Sequence, residues 1–156
     1  MKLNPTQQDK SSPSISVVIP AYNEEVLLPR LLDSIDVALG RFRADSDLVE
    51  VIVADNLSTD GTAAIAASRG CRVVPVEKRT IAAARNGGAA AARGEVVCFV
   101  DADSQVHAET FNVIDALMQD EGVVGGTTGR ELERKALGIL MKVFLIWFVV
   151  SRAGGR

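Results

Sequence analysis

Short apolar runs alternate with segments of helical periodicity along most of this chain. Residues 15–19 are Ile-Ser-Val-Val-Ile, and this run ends at Pro20, so the pattern predicts a buried strand that stops at the proline. Apolar residues recur at helical spacing over 28–39, which predicts a helix with one face on a sheet. Such alternation is typical of a largely parallel sheet covered on both faces, so the predicted fold class is α/β. The same patterns predict strands at 48–54, 71–76, 95–100 and 123–126, and helices at 62–68, 81–92 and 109–118.

The two ends of the chain differ from this alternating region. Residues 1–14 are polar and contain no apolar stretch that resembles the core of a signal peptide, so we expect a loose tail. Residues 136–150 are almost wholly apolar, and their spacing predicts a helix that is apolar on every side. The predicted organisation is therefore a tail at 1–14, an α/β domain at 15–126, and a basic and apolar helical segment at 127–156.

The apolar segment near the C-terminus is shorter than the roughly 20 residues that a membrane-spanning helix needs. A helix that is apolar all round must be covered, and Arg134, Lys135 and Arg152 flank this one with positive charge. We expect residues 136–150 to lie at a membrane surface or against a second copy of the chain. The alternative is that the segment packs against its own domain. The expected location is the cytoplasm, with membrane association through this segment.

Composition and charge limit the classes of function that this chain can have. The chain has 156 residues, of which 47% are hydrophobic and 24% charged, which is typical of one globular domain with a sizeable core. It carries 17 Lys and Arg against 20 Asp and Glu, a net charge of −3, so no chain-wide positive field attracts nucleic acid. Cys71 and Cys98 form no framework of paired bridges, and Cys98 lies in an apolar run that predicts a buried thiol. We therefore expect a reducing compartment and no nucleic-acid partner.

Polar residues follow three of the predicted strands, at the points where those strands end. Ligands of open parallel sheets bind beyond the carboxyl ends of the strands. The first strand is followed by residues 20–24, Pro-Ala-Tyr-Asn-Glu, and the second by Asp55. The strand at 95–100 leads directly into residues 101–103, Asp-Ala-Asp. Three separate segments therefore bring polar groups to one crevice, which predicts a ligand site there.

Asp101 and Asp103 are the candidate metal ligands. They lie two positions apart in a segment that leaves a strand, so in an extended conformation their carboxylates point to the same side. Mg²⁺ and Mn²⁺ bind one or two carboxylates and keep places for substrate phosphates. The pair therefore predicts a metal-bound diphosphate, with the metal neutralising the charge of the departing group. The alternative is that an aspartate here only caps the following helix.

Asp55 and Tyr22 are the candidates for recognition of a nucleotide base. A carboxylate accepts a hydrogen bond from a base ring N–H, and an aromatic ring supplies a face for the base. The alternatives are that Asp55 only shapes the turn towards Thr59 and Asp60, and that Tyr22 only covers the sheet edge. Glu24 either contributes to the site or occupies a first helical turn, where the helix dipole favours an acidic residue.

Two arginines near the third predicted helix are candidates for contact with a base or a phosphate. Arg79 precedes the helix at 81–92 and Arg85 lies within it, and either guanidinium can donate to such a ligand. The alternative for both is a solvated surface. His107 has no partner at catalytic spacing, so it is assigned no role.

Taken together, these motifs resemble those of the family 2 glycosyltransferases over about residues 15–126. The resemblance implies a GT-A fold, a Rossmann-like three-layer sandwich with a mostly parallel central sheet. It also implies a nucleotide-sugar donor, often a UDP-sugar, and inverting transfer in a single displacement assisted by Mg²⁺ or Mn²⁺. The motifs that carry it are Pro20-Ala21-Tyr22-Asn23-Glu24, Asp55 with Ser58-Thr59-Asp60-Gly61, Ala84-Arg85-Asn86-Gly87, Arg93-Gly94-Glu95 and Asp101-Ala102-Asp103.

The resemblance also assigns the nucleotide and metal sites residue by residue. It implies that Asp101 and Asp103 bind the metal and that Asp55 contacts the base. It leaves open which of the two arginines matches the base-contacting basic residue of the family. The residues assigned to the nucleotide are Pro20, Ala21, Tyr22, Glu24, Asp55, Arg79, Arg85, Asp101 and Ala102.

The catalytic base and the acceptor stay unassigned. Members of the family normally continue into an acceptor-binding half that supplies a carboxylate base, and we expect this chain to be truncated before that half. Glu131 and Glu133 are its late carboxylates, and their Arg-Glu-Leu-Glu-Arg setting is typical of a solvated helix face. The expected function is transfer of a sugar to a carbohydrate or lipid-linked acceptor. The alternative is a catalytically incomplete module that binds nucleotide sugar without turnover.

Overall fold

The computed structural model describes residues 13–120 and 122–127 and the backbone of residues 147–150. These residues form strands and α-helices that alternate through most of the described chain. A short 3₁₀ helix at Ser46–Leu48 precedes the second strand. In chain order the elements are β1 (Ile15–Ala21), α1 (Leu28–Arg41), β2 (Val49–Asp55), α2 (Thr62–Ser68), β3 (Arg72–Pro75), α3 (Ile81–Ala91), β4 (Val96–Phe99), α4 (Thr110–Met118), β5 (Gly125–Thr127) and β6 (Trp147–Val150).

The described strands form a six-stranded sheet in the order β3-β2-β1-β4-β6-β5. β1 pairs in parallel with β2 along its whole length, from Ile15 opposite Val49 to Ala21 opposite Asp55. β1 is also parallel to β4, and β2 is parallel to β3. β6 runs antiparallel to both β4 and β5. The sheet is therefore mostly parallel, as predicted, and β5 and β6 form an antiparallel edge.

Helices cover both faces of the sheet. The side chains of β1 alternate between these faces, and all of them are buried. Val17 and Ile19 belong to the apolar cluster that includes the buried residues of α1 and α4. Val18 points to the other face, where α3 packs so closely that a Cβ added at Gly88 would lie 2.3 Å from Val18 Cγ1. The same Cβ would lie 3.2 Å from the Cβ of Ala54 in β2, so glycine allows this approach. The expected three-layer arrangement of helix, sheet and helix is confirmed.

α1 buries one face of regular helical spacing. Leu28, Leu31, Leu32, Ile35 and Ala38 recur at intervals of three and four residues, and each is at most 3% exposed. Full burial of a leucine or isoleucine side chain contributes about 1.5–3 kcal/mol. This face therefore fixes α1 on the sheet and, with it, the loop that connects β1 to α1.

The structure corrects the predicted end of the first strand. β1 continues through Pro20 to Ala21, whose carbonyl accepts a hydrogen bond from the Asn56 N–H at 2.8 Å. Val18, two residues before Pro20, uses its carbonyl on the other side to accept from the Val100 N–H at 3.0 Å. Backbone groups two residues apart point to the same side of a strand, so Pro20 faces the region beyond the end of β4. Its missing N–H therefore lies where the pairing of β1 with β4 ends, at Val18 opposite Phe99, which is a position at which a strand tolerates proline.

Two expectations about the chain ends are corrected within the described residues. Ser14 does not belong to a loose tail, because its N–H donates to the Leu48 carbonyl (2.8 Å) and its carbonyl accepts from the Val96 N–H (3.0 Å). Trp147–Val150 forms β6 instead of the end of a helix, since aromatic and β-branched residues suit a strand and the edge of β4 supplies a backbone partner. The rest of the predicted tail and C-terminal helix lies outside the described residues. None of the described helices has the length and apolar character needed to cross a membrane.

The two cysteines are free, and the predicted burial of Cys98 is confirmed. Cys98 lies on β4 and is 1% exposed, and burial raises the pKa of its thiol to about 12. Cys71 is half-buried just before β3, and desolvation raises the pKa of its thiol to about 11. Neither thiol is therefore ionised near neutral pH.

Candidate functional site

A cavity of about 530 Å³ opens at the carboxyl ends of β1 and β2. Its wall combines the end of β1, the loops that follow β1, β2 and β3, and the start of α3. This is the edge at which an open parallel sheet binds its ligands. The lining residues are Pro20, Ala21, Tyr22, Glu24, Asn56, Arg79, Thr80, Ile81 and Ala84.

Tyr22 and Arg79 form one side of this cavity together. The guanidinium carbon of Arg79 lies 4.5 Å from the centroid of the Tyr22 ring, which is a cation–π geometry, and Arg79 Nη2 donates to the Tyr22 hydroxyl. Tyr22 is still 44% exposed, so ring surface is left against which a base can stack. The two candidate arginines are thereby distinguished, because Arg79 lines the cavity and Arg85 does not.

Hydrogen bonds between the loops after β1 and β2 hold this side of the cavity in shape. The Asn23 N–H donates to Ser58 Oγ (3.0 Å), and Asn23 Oδ1 accepts from the Thr59 N–H (2.8 Å). The Glu24 N–H donates to the hydroxyl of the buried Thr62 (2.8 Å). Asn23 has a φ of 55°, in the left-handed region that asparagine tolerates better than most residues. The conformation of the loop after β1 therefore depends on the loop after β2.

Asp60 joins the same two loops through its carboxylate. Its Oδ1 accepts from the N–H and the hydroxyl of Thr62, and its Oδ2 accepts from the Glu25 N–H (3.1 Å). Desolvation acts to raise the pKa of Asp60, but the hydrogen bonds from Thr62 and Glu25 outweigh it and hold the pKa below its usual value. The joined arrangement of the loops therefore favours the ionised carboxylate.

Asn56 lines the cavity and was not among the predicted site residues. It is 6% exposed, and its side-chain amide donates to the carbonyls of Val76 and Lys78, both at 2.8 Å. An asparagine directly after a strand is an ordinary turn residue in sequence, so its pattern gave no signal beyond its position beside Asp55. The contacts that distinguish it are made to residues 20 and 22 positions away.

Asp55 occupies the end of β2 but is not among the cavity-lining residues. It is half-buried, and its Oδ1 accepts from the Ser58 N–H at 3.3 Å. Through this contact Asp55 shapes the turn after β2, which was the alternative to a role in base recognition. It leaves the second carboxylate oxygen as a further acceptor at the strand end.

Residues 101–103 follow β4 and hold the predicted acidic pair. Asp101 Oδ1 forms an ion pair with Arg85 Nη2 at 2.7 Å, and the two side chains are 35% and 38% exposed. Ala102 is buried and Asp103 is exposed. α4 begins only at Thr110 and its N-cap is Glu109, so neither aspartate caps that helix. The capping alternative is therefore excluded for α4.

The fit of a metal ion follows from the chemistry of these donors. Within residues 13–120 and 122–127, no group of three or more His, Cys, Asp or Glu side chains is arranged to hold a metal. Asp101 and Asp103 supply carboxylate oxygens only, which are the donors that Mg²⁺ and Mn²⁺ prefer. An ion held by this pair would need further oxygens from phosphate and water, so the donor set fits a metal that arrives with a phosphate ligand.

Comparison with known proteins identifies glycosyltransferases as similar to this chain. A sequence model of the family described as "Glycosyl transferase family 2" matches residues 16–145. The chain is 29% identical over 175 residues to a dolichyl-phosphate beta-glucosyltransferase of Drosophila melanogaster, an alignment that covers 96% of this chain and 53% of the relative. The chain thus spans about half the length of this curated relative.

Solved structures of glycosyltransferases also match the fold. One is glucosyl-3-phosphoglycerate synthase from Mycobacterium tuberculosis in complex with Mn²⁺, UDP and glucosyl-3-phosphoglycerate, at 32% identity and a TM-score of 0.58. Another is the mannosyltransferase PcManGT from Pyrobaculum calidifontis in complex with GDP-Man and Mn²⁺, at 27% identity and a TM-score of 0.64. The alignments cover 72% and 78% of this chain, and 42% and 37% of the two solved chains. The fold is therefore of the GT-A type.

Proposed function

We propose that this chain, which belongs to glycosyl transferase family 2, binds the nucleotide-sugar donor of a glycosyl transfer reaction. The observation that carries the proposal is the cavity at the carboxyl ends of β1 and β2, with its wall of Tyr22 and Arg79. An aromatic ring backed by a guanidinium suits a flat, polar base, because the ring stacks and the cation strengthens the contact. The donor is a nucleotide sugar, and a UDP-sugar is the first candidate.

The base would be recognised by acceptors at the end of β2. Both N–H groups of the Asn56 amide are used on carbonyls, so the atom that it has left for a ligand is its carbonyl Oδ1. This oxygen can accept a hydrogen bond from the ring N–H of uracil or guanine, and Asp55 supplies a second acceptor beside it. Structural neighbours were solved with UDP and with GDP-Man, which supports testing both bases.

The diphosphate would bind near Asp101, Asp103 and Arg85. Asp101 and Asp103 would hold Mg²⁺ or Mn²⁺, and the ion would supply the positive charge that neutralises the departing nucleoside diphosphate. In the free protein Arg85 neutralises Asp101 through their ion pair. With Asp101 on a cation, the Arg85 guanidinium would be free to donate to a phosphate group through two N–H groups.

In the proposed reaction an acceptor oxygen, from a lipid-linked phosphate or a carbohydrate hydroxyl, bonds to the anomeric carbon of the sugar. The bond from that carbon to the diphosphate oxygen breaks in the same step, so the configuration inverts. A hydroxyl acceptor would lose its proton to a general base, and no described residue is assigned that role, whereas an ionised phosphate oxygen needs no such transfer. The name of the Drosophila relative supports a lipid-linked phosphate as acceptor, with a carbohydrate as the alternative, and a lipid-linked acceptor implies work at a membrane surface.

Calorimetry with UDP and GDP tests donor binding directly. Each titration is run with Mg²⁺ or Mn²⁺ and again with a chelator. We expect one nucleotide to bind in the presence of metal and to bind measurably more weakly in its absence. Equal affinity with the chelator would contradict the role of the metal, and absence of binding to both nucleotides would contradict the donor site.

Two variants locate the metal effect. Asp103→Ala should remove the metal dependence of nucleotide binding and leave the circular dichroism spectrum unchanged, because Asp103 is exposed and follows the sheet. Asp47→Ala is the matched control, since Asp47 is an exposed aspartate in the 3₁₀ helix that precedes β2. Loss of the metal dependence in both variants would show that the effect is general charge and not a metal site.

The second candidate function is donor binding without turnover. It is favoured by the described residues of the site, which supply contacts for the donor and among which no general base is assigned. Assays of donor hydrolysis and of sugar transfer separate the two candidates on a sample that binds UDP. Binding without either activity would support the binding module, and transfer would support the enzyme.

A further inference from the structure

We propose that Asn56 is a positioning residue, whose side-chain amide holds the loop after β3 so that Arg79 stays against the Tyr22 ring. The geometric part of this proposal concerns the free protein. Its consequence for ligand binding rests on the proposed function, in which Tyr22 and Arg79 form the wall that receives the base.

Both donors of the Asn56 side-chain amide are used on the loop after β3. An asparagine side chain has two N–H donors, and here one donates to the Val76 carbonyl and the other to the Lys78 carbonyl, both at 2.8 Å. Asn56 is 6% exposed, so water does not readily replace these bonds. The backbone N–H of Asn56 donates to the Ala21 carbonyl, which fixes the residue to the end of β1. One buried residue thus connects β1 to the loop after β3.

The loop that these bonds hold carries Arg79. β3 ends at Pro75 and α3 begins at Ile81, so the connection between them is short. The Val76 N–H donates to the Asp55 carbonyl at 2.8 Å, which extends the pairing of β3 with β2 by one step. Beyond that step, the loop turns towards the cavity, and the second Asn56 bond reaches Lys78, the residue directly before Arg79.

The residue after Arg79 is fixed as well. The Thr80 N–H donates to the Lys78 carbonyl (2.8 Å), and the Thr80 hydroxyl accepts from the Ala83 N–H (3.1 Å) at the start of α3. The Lys78 carbonyl therefore accepts both the Asn56 amide and the Thr80 N–H. Arg79 lies between Lys78, which owns this carbonyl, and Thr80, whose N–H donates to it. The Asn56 contact therefore fixes the backbone position from which the Arg79 side chain extends.

The role requires an amide and not a carboxylate. An ionised aspartate has nearly the same shape as asparagine but only accepts hydrogen bonds. At position 56 it would lose both bonds and bring a negative charge against the carbonyl oxygens of Val76 and Lys78, with little water to screen it. Asn56→Asp is therefore expected to displace the loop. If Asn56 served only as an acceptor for the base, the same substitution would be tolerated.

NMR spectroscopy on the full chain tests the geometry without any ligand. The chain contains one tyrosine, so the ring signals of Tyr22 are assigned without ambiguity. We expect cross-relaxation between the Tyr22 ring protons and the side-chain methylenes of Arg79 in the original chain, and its loss in Asn56→Asp. Asn56→Ala removes the same donors without adding charge, so it tests the proposal even if Asn56→Asp does not fold. Retention of the cross-peaks in a folded Asn56→Ala would overturn the proposal.

Asn112→Asp is the matched control. The Asn112 amide also donates to a backbone carbonyl, that of Arg41 at 2.9 Å, but it lies on α4 and not among the residues that line the cavity. Asn112→Asp should therefore keep the Tyr22–Arg79 cross-peaks. Their loss in this variant too would overturn the proposal, because lowered stability would then explain the loss in both variants.

UDP titrations separate this proposal from the proposed function. With metal present, we expect Asn56→Ala and Asn56→Asp each to weaken UDP binding about tenfold, the equivalent of one lost hydrogen bond's contribution, and Asn112→Asp to leave it unchanged. Because aspartate keeps an acceptor oxygen for the base, the loss in Asn56→Asp reports the displaced Arg79 and not a lost contact of Asn56 itself. Unchanged UDP affinity in Asn56→Ala, despite lost cross-peaks, would overturn the link from geometry to binding. If the original chain shows the cross-peaks but does not bind UDP, the proposed function fails and the positioning of Arg79 by Asn56 stands.

Discussion

Two carboxylate–arginine pairs lie at opposite ends of the sheet, and their surroundings differ. Glu50, near the start of β2, pairs with Arg72 Nη2 at 3.3 Å, and its side chain is 16% exposed. The same carboxylate accepts from the Ser16 hydroxyl and from the Arg93 N–H, both at 2.6 Å. Its acceptors are thus committed to a hydroxyl, a backbone N–H and a guanidinium, in a partly buried setting.

Asp101, which follows β4, is also a carboxylate paired with an arginine, but it accepts fewer hydrogen bonds among the described contacts. It pairs with Arg85 at 2.7 Å, and its side chain is 35% exposed. Among the described contacts, Arg85 is the partner of its carboxylate. The Glu50 pair is therefore a structural element that joins β1, β2 and the segment before β4, whereas the Asp101 pair is the one that we propose exchanges its arginine for a ligand.

The largest effect expected from this difference is on stability. Glu50→Ala removes acceptors from Ser16, Arg72 and Arg93, and it leaves the partly buried Arg72 without its counter-charge. We expect the free energy of unfolding to fall by about 2–3 kcal/mol, because hydrogen bonds to charged groups contribute that much. Asp101→Ala breaks a more exposed pair and should cost less than about 1 kcal/mol.

Denaturant unfolding of both variants measures this contrast. Similar losses for Glu50→Ala and Asp101→Ala would contradict the distinction between a structural pair and an exchangeable one.

A smaller effect is expected on ligand binding at the carboxyl end. Tyr22→Ala should weaken UDP binding by about 1–3 kcal/mol, the usual contribution of a base stacked on an aromatic side chain. Tyr22→Phe keeps the ring and loses only the hydroxyl that accepts from Arg79, so its loss should be smaller. Ribose 5-phosphate, which has no base, should bind all three proteins equally. A loss of ribose 5-phosphate binding in Tyr22→Ala would show that Tyr22 shapes the cavity instead of stacking on the base.

The smallest effect concerns pH and the loops beside the cavity. The folded-state pKa of Asp60 lies below the ordinary value for an aspartate, so the unfolded chain binds the proton more readily. The stability from ionised Asp60 is therefore present above that ordinary value and is lost as the pH falls through the lower folded-state pKa. Asp60→Asn should be less stable than the original chain at neutral pH, and the gap should narrow in acid. Thermal unfolding over this range measures it, and a gap that widens in acid would contradict the assignment.

The sequence predicted the alternation of elements well because strands and helices differ in hydrophobic period. It failed where a partner distant in sequence decides the outcome. Pro20 looked like a strand end, but β1 passes through it because its pairing with β2 continues to Ala21 opposite Asp55, although its pairing with β4 ends at Val18. Trp147–Val150 continued an apolar helical pattern, but it forms a strand against β4. In both cases the pairing with a neighbouring strand overrides the local pattern.

The candidate site divides in the same way. The motif after β1 and the acidic residues after β4 were predicted because strand ends mark ligand sites in this fold class. The motif after β1 lines the cavity, and the role of the acidic residues stays a prediction. The choice between Arg79 and Arg85 stayed open in the sequence, since both lie near one helix, and it is the contacts with Tyr22 and Asp101 that separate them. Asn56 was missed because its two contacts lie 20 and 22 positions away and follow no local pattern.

Amide-resolved NMR titration of the full chain tests the central claim most directly, because it reports both ends of the sheet at once. UDP with Mg²⁺ should shift the signals of Tyr22, Asn56 and Arg79, and replacement of Mg²⁺ by paramagnetic Mn²⁺ should broaden signals most strongly around Asp101 and Asp103. Signals of the opposite end, around Glu50, should not change. Changes centred on Glu50, or none at Tyr22 with UDP and metal present, would contradict a donor site at the carboxyl end of the sheet.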